Sequence, residues 1–144
     1  MYLPRYKVAL VKEGRCRVST RAIANPADAY AILHGDMGQS DREIFLTLLL
    51  DTRNRVIGIH EVSVGSLNAS LVHPRETFKA AILTNAAALI LAHCHPSGDL
   101  EPSQEDLAIT TRLKEAGELL GIPVLDHLII SDVAFISLKE RRLL

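Results

Sequence analysis

Tryptophan is absent from this sequence of 144 residues, and cysteine occurs only twice, at positions 16 and 94. Two cysteines cannot form the disulfide framework of a small secreted domain, so we expect a reducing, cytoplasmic location. The longest run without a charged residue or histidine covers residues 80–92, which is too short to span a bilayer. No apolar leader with a small-residue cleavage site is visible either. We therefore expect no secretory signal and no membrane partner.

An excess of charge of one sign is also lacking, since 16 lysines and arginines face 17 acidic residues and the net charge is −1. This balance argues against a protein whose main task is to neutralise phosphates. The hydrophobic fraction of 48% is that of an ordinary globular chain and excludes a disordered one. The length suits one domain with its own core, so we expect a single domain over residues 1–144.

The first 22 residues depart from this balance, because they contain six basic side chains and one acid. The basic residues are Arg5, Lys7, Lys12, Arg15, Arg17 and Arg21. Residues 6–12 alternate like a strand, and Glu13-Gly14 has the composition of a turn. We expect the basic side chains to form the solvated face of that strand, while a nucleic-acid-binding surface is the alternative interpretation.

Helical periodicity and capping residues predict three helices. The first covers residues 25–38, with Asn25 as its N-cap. The second begins after Pro74, and the third covers residues 103–120 and stops at Gly121. The residues that we expect to form the buried stripe of the second helix are Phe78, Ile82 and Leu83.

Strands are predicted between these helices, at residues 43–51, 55–62, 86–94, 124–130 and 135–138. The first two are joined by a short turn and form an antiparallel hairpin by pattern. The third is a nearly continuous apolar run, which is typical of a strand that is covered on both faces. Together these elements predict one α/β domain with a mixed sheet.

Two histidines lie two residues apart at the end of a predicted strand, His93 and His95. Alternation along a strand places both imidazoles on one face and turns Cys94 to the other. Two imidazoles form half of a divalent metal site, and imidazole suits zinc. Asp106 lies in the first turn of the following helix, where it can provide a third ligand. Three protein ligands leave a fourth position for water, which is the pattern of a catalytic zinc site.

A catalytic zinc site needs two further groups. A carboxylate that does not bind the metal must take the proton of the activated water and pass it on, and a donor must stabilise the oxyanion. Ser103 is a candidate for this donor, although a serine three residues before an acid is also a typical helix N-cap. Spacing alone does not select one of the glutamates as the base.

The spacing of these residues resembles that of a known motif. His-x-His, seven residues, Ser, two residues and Asp is the JAMM motif of the JAB/MPN metalloproteases, and His93, His95, Ser103 and Asp106 match it. The segments that are similar to the RadC branch of that family are residues 48–54, 71–76, 95–99 and 125–127. The resemblance covers about residues 20–138. Cys94 is a departure, since this branch more often has Asn there.

The resemblance implies a three-layer α/β/α domain of the cytidine-deaminase-like JAB/MPN fold and a zinc-dependent hydrolase that cleaves peptide or isopeptide bonds. It implies one Zn²⁺ per chain, bound by His93, His95 and Asp106. It also implies that Glu43, at the start of an upstream strand, is the general acid/base and that Ser103 is the oxyanion donor. The partner that it implies is a peptide or protein substrate.

Full-length RadC proteins carry a helix-hairpin-helix segment before this domain, and we expect this chain to lack it because its length leaves no room. A nucleic-acid-binding module associated with DNA repair, or a single-metal nuclease, is the alternative function. His127 is either a residue that supports a metal ligand or a hydrogen-bonded structural histidine. We expect loops 63–70 and 97–102 to determine specificity, and an edge strand to allow a homodimer.

Overall fold

The computed structural model describes residues 1–37, 41–65 and 72–144. Within these residues the chain forms three helices and five strands. The helices are α1 (Pro26–Met37), α2 (Pro74–Leu83) and α3 (Gln104–Leu120), and the strands are β1 (Glu43–Leu50), β2 (Val56–Gly65), β3 (Ala88–Cys94), β4 (Val124–Ile130) and β5 (Phe135–Ser137). The predicted α/β class with a mixed sheet is confirmed. The predicted end of the first helix at Gly38 lies outside the described residues.

The strands form one sheet in the order β2-β1-β3-β4-β5. β3 and β4 run parallel, whereas the other neighbouring strands run antiparallel. Helix α3 is the crossover between the two parallel strands, so the carboxyl end of β3 leads into the first turn of α3. β1 runs antiparallel to β3, with Phe45 opposite His93. The start of β1, the end of β3 and the start of α3 therefore lie at the same edge of the sheet.

Alternate side chains of the central strands face two separate helical layers. Leu46 and Leu48 pack with Leu33 of α1 on one face, whereas Phe45 and Leu49 pack with residues of α2 and α3 on the other. Every residue of β3 is buried, as predicted for a strand with both faces covered. The architecture is thus three layers, α/β/α. In the described parts of the chain, no helix combines the length and the hydrophobicity that a bilayer span requires.

Local sequence determines where α1 and α3 begin and where α3 ends. The Asn25 side-chain oxygen accepts a hydrogen bond from the Asp28 N–H at 3.2 Å. At the start of α3, Ser103 Oγ accepts from the Asp106 N–H at 3.0 Å, and the Asp106 carboxylate accepts from the Ser103 N–H at 2.7 Å. Gly121 ends α3 with a φ of 71°, which residues with a side chain rarely adopt. These boundaries confirm the sequence prediction.

The strand predicted for residues 6–12 is wrong. Residues 1–17 are exposed and form no strand, and an isolated bridge joins Ala22 to Arg55. Alternation predicts the side on which each side chain lies, but a strand also needs a neighbour that exchanges backbone hydrogen bonds with it. Without that neighbour, Tyr6 and Val8 are 83% and 72% exposed. The basic residues of this segment are therefore not one face of a strand.

The buried stripe predicted for α2 is only partly correct. Phe78 is buried, but Ile82 and Leu83 are 52% and 37% exposed. The buried face consists of Thr77, Phe78 and Ala81. Positions three and four residues after Phe78 both lie near its face of the helix. The small Ala81 packs against the sheet, so Ile82 is turned towards solvent.

Gly117 lies where α3 passes closest to the chain that enters β4. A Cβ atom at this position would lie 2.5 Å from the backbone oxygen of Ile122 and 3.3 Å from the Phe78 ring. A backbone oxygen cannot move aside without moving the start of β4. We therefore expect Gly117→Ala to lower the free energy of unfolding by about 1–3 kcal/mol, although alanine favours helices. Denaturant unfolding followed by circular dichroism measures this change.

Gly35→Ala is the matched control, because Gly35 also lies inside a helix and its Cβ would meet nothing within 4 Å. This substitution should raise the free energy of unfolding by up to about 1 kcal/mol. Effects of the same sign and size at both positions would contradict the close approach at Gly117.

Candidate metal centre

Three side chains with metal-binding atoms converge at the edge of the sheet where β3 ends. His93 Nε2 lies 2.9 Å from His95 Nε2 and 3.4 Å from Asp106 Oδ1. His95 Nε2 lies 3.3 Å from Asp106 Oδ2. His93 and Asp106 are buried, whereas His95 is partly exposed. The structure thus brings together the three residues that the sequence predicts as ligands.

These distances and atom types fit a single metal ion. Ligand atoms that lie about 2.0–2.1 Å from a tetrahedral zinc ion are ~3.3 Å from one another. The two Nε2 atoms are 2.9 Å apart, and His93 and His95 lie 3.4 and 3.3 Å from Asp106 Oδ1 and Oδ2, respectively. With one ligand atom from each residue, the three atoms lie within 4.8 Å of one another. Two imidazole nitrogens and a carboxylate oxygen suit zinc and several other divalent transition metals. His93, His95 and Asp106 can therefore hold one metal ion.

The Asp106 carboxylate is held towards the histidines by the first turn of α3. Its Oδ2 accepts the Ser103 N–H, and its own N–H donates to Ser103 Oγ. Burial alone would raise the pKa of Asp106, but the hydrogen bond and charge of His93, together with the bonds from Ser103, hold this pKa well below its usual range. Asp106 is therefore ionised, as a metal ligand must be.

The turn that follows β3 orients His95. His95 Nδ1 lies 2.7 Å from the carbonyl oxygen of Asp99. Because a carbonyl oxygen only accepts hydrogen bonds, Nδ1 carries a proton, so that the neutral form of the ring has its lone pair on Nε2. The Gly98 N–H closes this turn with a 2.9 Å bond to the His95 carbonyl oxygen. The turn therefore fixes the tautomer in which Nε2 can bind a metal.

His127 lies behind His93, on the neighbouring strand β4. His93 Nδ1 is 2.7 Å from His127 Nε2, and His127 Nδ1 is 2.6 Å from Thr110 Oγ1. Phe45 packs against both imidazoles, with ring centroids 6.1 and 5.6 Å away. Burial lowers the pKa of His127 well below its usual value, and the nearby His93 lowers it further. His127 is therefore a neutral imidazole that contacts a candidate ligand directly.

Sequence reasoning considered His127 as a possible support for the metal site but missed Thr110 and Phe45. One signal for Thr110 was available, because it follows Asp106 by four residues and thus lies on the same face of the helix. Phe45 lies two residues after Glu43 on β1, so alternation puts these two side chains on the same face of that strand. Nothing in the local sequence indicates that either residue faces the histidines of β3 and β4.

Glu43, the predicted general acid/base, is half-buried and begins β1. The ladder between β1 and β3 ends with Phe45 opposite His93. Continued by two residues, the same register would set Glu43 against His95. Burial raises the pKa of the Cys94 thiol, and the charge of Glu43 adds to this effect. Glu43 thus lies at the same edge of the sheet as the three candidate ligands.

Ser103 lies at the start of α3, whereas Cys94 lies on the α1 side of the sheet. Ser103 is exposed and caps α3, so its predicted role as a cap is confirmed. Cys94 Sγ donates to the Arg42 carbonyl oxygen at 3.3 Å and belongs to the core on the α1 side of the sheet. Cys94 therefore points away from His93 and His95, as alternation predicts.

The two predicted specificity loops differ in how much of them the structure describes. Residues 97–102 follow His95 directly and include the turn that orients it. In the other loop, residues 63–65 are the last residues of β2. The prediction for residues 66–70 lies outside the described residues.

A mixed sheet between two helical layers, with two histidines at a strand end and a carboxylate from the next helix, defines this protein as an α/β domain with a candidate mononuclear metal centre. Comparison with protein families agrees with this class. The family model described as RadC-like JAB domain matches residues 23–143. The chain therefore belongs to the RadC-like JAB domain family.

Relatives of this chain include three proteins named UPF0758 protein. The one from Moorella thermoacetica is 60% identical over 127 residues, which cover 88% of this chain and 56% of the relative. The one from Methanosarcina acetivorans is 51% identical over 120 residues, covering 83% and 52%. The one from Desulfitobacterium hafniense is 51% identical over 141 residues, covering 94% and 62%. The chain thus spans about half to three-fifths of the length of these curated relatives.

We expect the metal-free protein to bind one Zn²⁺ per chain and to become more stable when it does. A ligand that binds only the native state at 100 times its Kd adds about 2.7 kcal/mol, which raises Tm by roughly 10 °C for a domain of this size. His95→Ala should lose both the bound zinc and the rise in Tm. Elemental analysis and thermal unfolding with and without ZnCl₂ measure the two effects.

His34→Ala is the control for this substitution. His34 lies in α1, which packs on the other face of the sheet from α3, and its ring contacts the Asp132 carbonyl oxygen. It should keep the full zinc content. Full occupancy in His95→Ala would refute the assignment of His95 as a ligand.

Proposed function

We propose that this domain is a zinc-dependent hydrolase of the JAMM type that cleaves peptide or isopeptide amide bonds. The observation that carries the proposal is the convergence of His93, His95 and Asp106, whose ligand atoms lie within 4.8 Å of one another. Membership of the RadC-like JAB family supports hydrolysis as the reaction class. The amide bond as substrate follows from the resemblance of the motif to that of JAMM metalloproteases.

Glu43 is the general acid/base of the proposed reaction. His93, His95 and Asp106 would hold a divalent ion, which would supply Lewis acidity and activate a water molecule for attack. Glu43 takes the proton of the attacking water and returns it to the leaving amine, so that one carboxylate serves both half-steps. Its position at the start of β1, on the strand next to the histidines, supports this role.

Ser103 is the oxyanion donor of the proposed reaction. The Asp106 N–H donates to Ser103 Oγ at 3.0 Å, which uses a lone pair of the hydroxyl and leaves its hydrogen to be donated. The same bond holds the side chain in one orientation at the start of α3. Capping and oxyanion stabilisation are therefore compatible roles for one hydroxyl.

A nucleic-acid-binding module or a single-metal nuclease is the second candidate. The observation that favours it is the exposure of the basic residues between Arg5 and Arg21. Contacts between such cations and phosphates weaken steeply with salt, because they release counterions. A DNA affinity that falls steeply between 50 and 200 mM salt, together with no cleavage of any peptide, would favour this candidate over the peptidase.

Glu43→Gln removes the base while it keeps the size of the side chain. We expect peptide cleavage to fall by at least about 100-fold, because proton transfer contributes that much or more, and we expect the zinc content to stay unchanged. An unbiased library of peptides and isopeptides, incubated with zinc-loaded protein and analysed by mass spectrometry, measures cleavage. Elemental analysis of the same samples measures zinc.

Glu61→Gln is the matched control for Glu43→Gln, because Glu61 is an exposed glutamate on β2. It should cleave the library like the unchanged protein. Loss of zinc together with activity in Glu43→Gln would contradict the role of base. A zinc-loaded protein that cleaves no member of the library would contradict the proposed function.

Ser103→Gly separates the two roles of this serine. Glycine is a good N-cap and costs only a few tenths of a kcal/mol there, but it has no hydroxyl to donate. We expect kcat to fall by about 10²–10³-fold, as for the loss of other oxyanion donors, while Tm changes little. Ser103→Thr keeps the hydroxyl and should keep most of the activity. Unchanged kcat in Ser103→Gly would leave Ser103 as a helix cap alone.

A further inference from the structure

We infer that Thr110 and His127 are positioning residues that fix the tautomer of His93, so that its Nε2 lone pair faces the metal site. The inference rests on the proposed metal centre and extends it by two residues that are not among its candidate ligands. It follows from counting the protons along one chain of contacts, from the Asp106 backbone through Thr110 and His127 to His93.

The chain of contacts begins at the carbonyl oxygen of Asp106. Thr110 Oγ1 lies 2.6 Å from this oxygen and donates to it, since a carbonyl oxygen has no proton to give. A hydroxyl has one hydrogen, so this bond uses the only proton that Thr110 can donate. Towards any other partner, Thr110 Oγ1 is an acceptor.

The second contact is 2.6 Å long and joins Thr110 Oγ1 to His127 Nδ1. Because Thr110 can only accept here, the proton of this bond is on His127 Nδ1. A neutral imidazole carries one proton on its two nitrogens, and His127 is fully buried. His127 Nε2 therefore presents a lone pair.

The third contact is 2.7 Å long and joins His127 Nε2 to His93 Nδ1. With a lone pair on His127 Nε2, the proton of this bond is on His93 Nδ1. In the neutral ring that a metal ligand requires, His93 Nε2 is then the unprotonated nitrogen, and it is the atom that faces His95 and Asp106. This is the tautomer that a metal ligand requires.

The opposite direction of proton donation would leave His93 Nε2 without a lone pair for a metal ion. If Thr110 donated to His127, then His127 would donate to His93, and His93 Nε2 would carry a hydrogen that points at the other two ligands. The bond from Thr110 to the Asp106 carbonyl oxygen selects against this direction. A hydroxyl buried behind the metal site thus determines which nitrogen of His93 is available.

The first test is the tautomer of His127 in the metal-free protein of unchanged sequence, read from imidazole ¹⁵N chemical shifts. We expect a protonated Nδ1 and an unprotonated Nε2. A proton on His127 Nε2 would overturn the inference. This test needs no variant and no activity, so it remains valid even if a substitution prevents folding.

The second test compares zinc affinities. Thr110→Val removes the hydroxyl at nearly constant size and should weaken Zn²⁺ binding about 10–100-fold, as for other residues that support a metal ligand. Thr110→Ser restores the hydroxyl and should restore most of the affinity. The matched control is Thr111→Val, because Thr111 Oγ1 donates to the Leu107 carbonyl oxygen at 3.0 Å in the same helix and is exposed. It should bind zinc like the unchanged protein.

Equal zinc affinity in Thr110→Val and Thr111→Val would overturn the inference, as would a failure of Thr110→Ser to restore binding. These outcomes are distinct from failure of the proposed function. A protein with the expected tautomer and affinities that cleaves no amide bond would contradict the peptidase proposal alone. A protein that cleaves peptides but has the other tautomer would contradict the role of Thr110 and His127 alone.

Discussion

A neutral imidazole that is buried in an apolar layer needs a hydrogen-bond partner for each of its nitrogens, and this requirement organises the centre of the domain. A buried polar atom without a partner costs about 1–3 kcal/mol. His93 and His127 are fully buried beside Phe45, and each of their nitrogens faces another polar atom. The contacts run from β3 through β4 to α3, so the relative positions of these three elements are coupled by hydrogen bonds as well as by packing.

The topology of the sheet explains how residues far apart in the chain reach one small volume. Two parallel neighbours require a crossover, and α3 begins beside the end of β3 because it forms that crossover. Its first turn therefore brings Asp106 back to the histidines after only ten intervening residues. The antiparallel pairing of β1 with β3 brings Glu43 to the same edge. In α/β domains, sites commonly lie at the carboxyl ends of parallel strands for this reason.

The parts of the site that local rules govern were predictable, and the parts that depend on tertiary pairing were not. Alternation along one strand suffices to separate His93 and His95 from Cys94, and capping chemistry suffices to start α3 at the right residue. Thr110 contacts a histidine on a different strand, and no local rule pairs a helix position with a strand position. The failed strand at residues 6–12 has the same cause, since alternation along a segment cannot supply the partner strand that a strand requires. Sequence periodicity indicates which side chains share one face of a helix or strand. The element that packs against that face depends on the whole fold.

Each of the three candidate ligands is held by a contact that needs no metal ion. Asp106 is held by Ser103, His95 by a backbone carbonyl oxygen, and His93 by His127. Two apolar cores on either side of the sheet provide the burial that folds the chain, in contrast to zinc fingers, which are unfolded without their metal. In the state that binds a metal ion, both imidazoles are neutral, and their two Nε2 lone pairs face the Asp106 carboxylate in a largely buried volume. These acceptors repel one another, and a cation between them would remove that repulsion. The fold therefore holds three ligand groups at one place by independent anchors, in an arrangement that favours a metal ion.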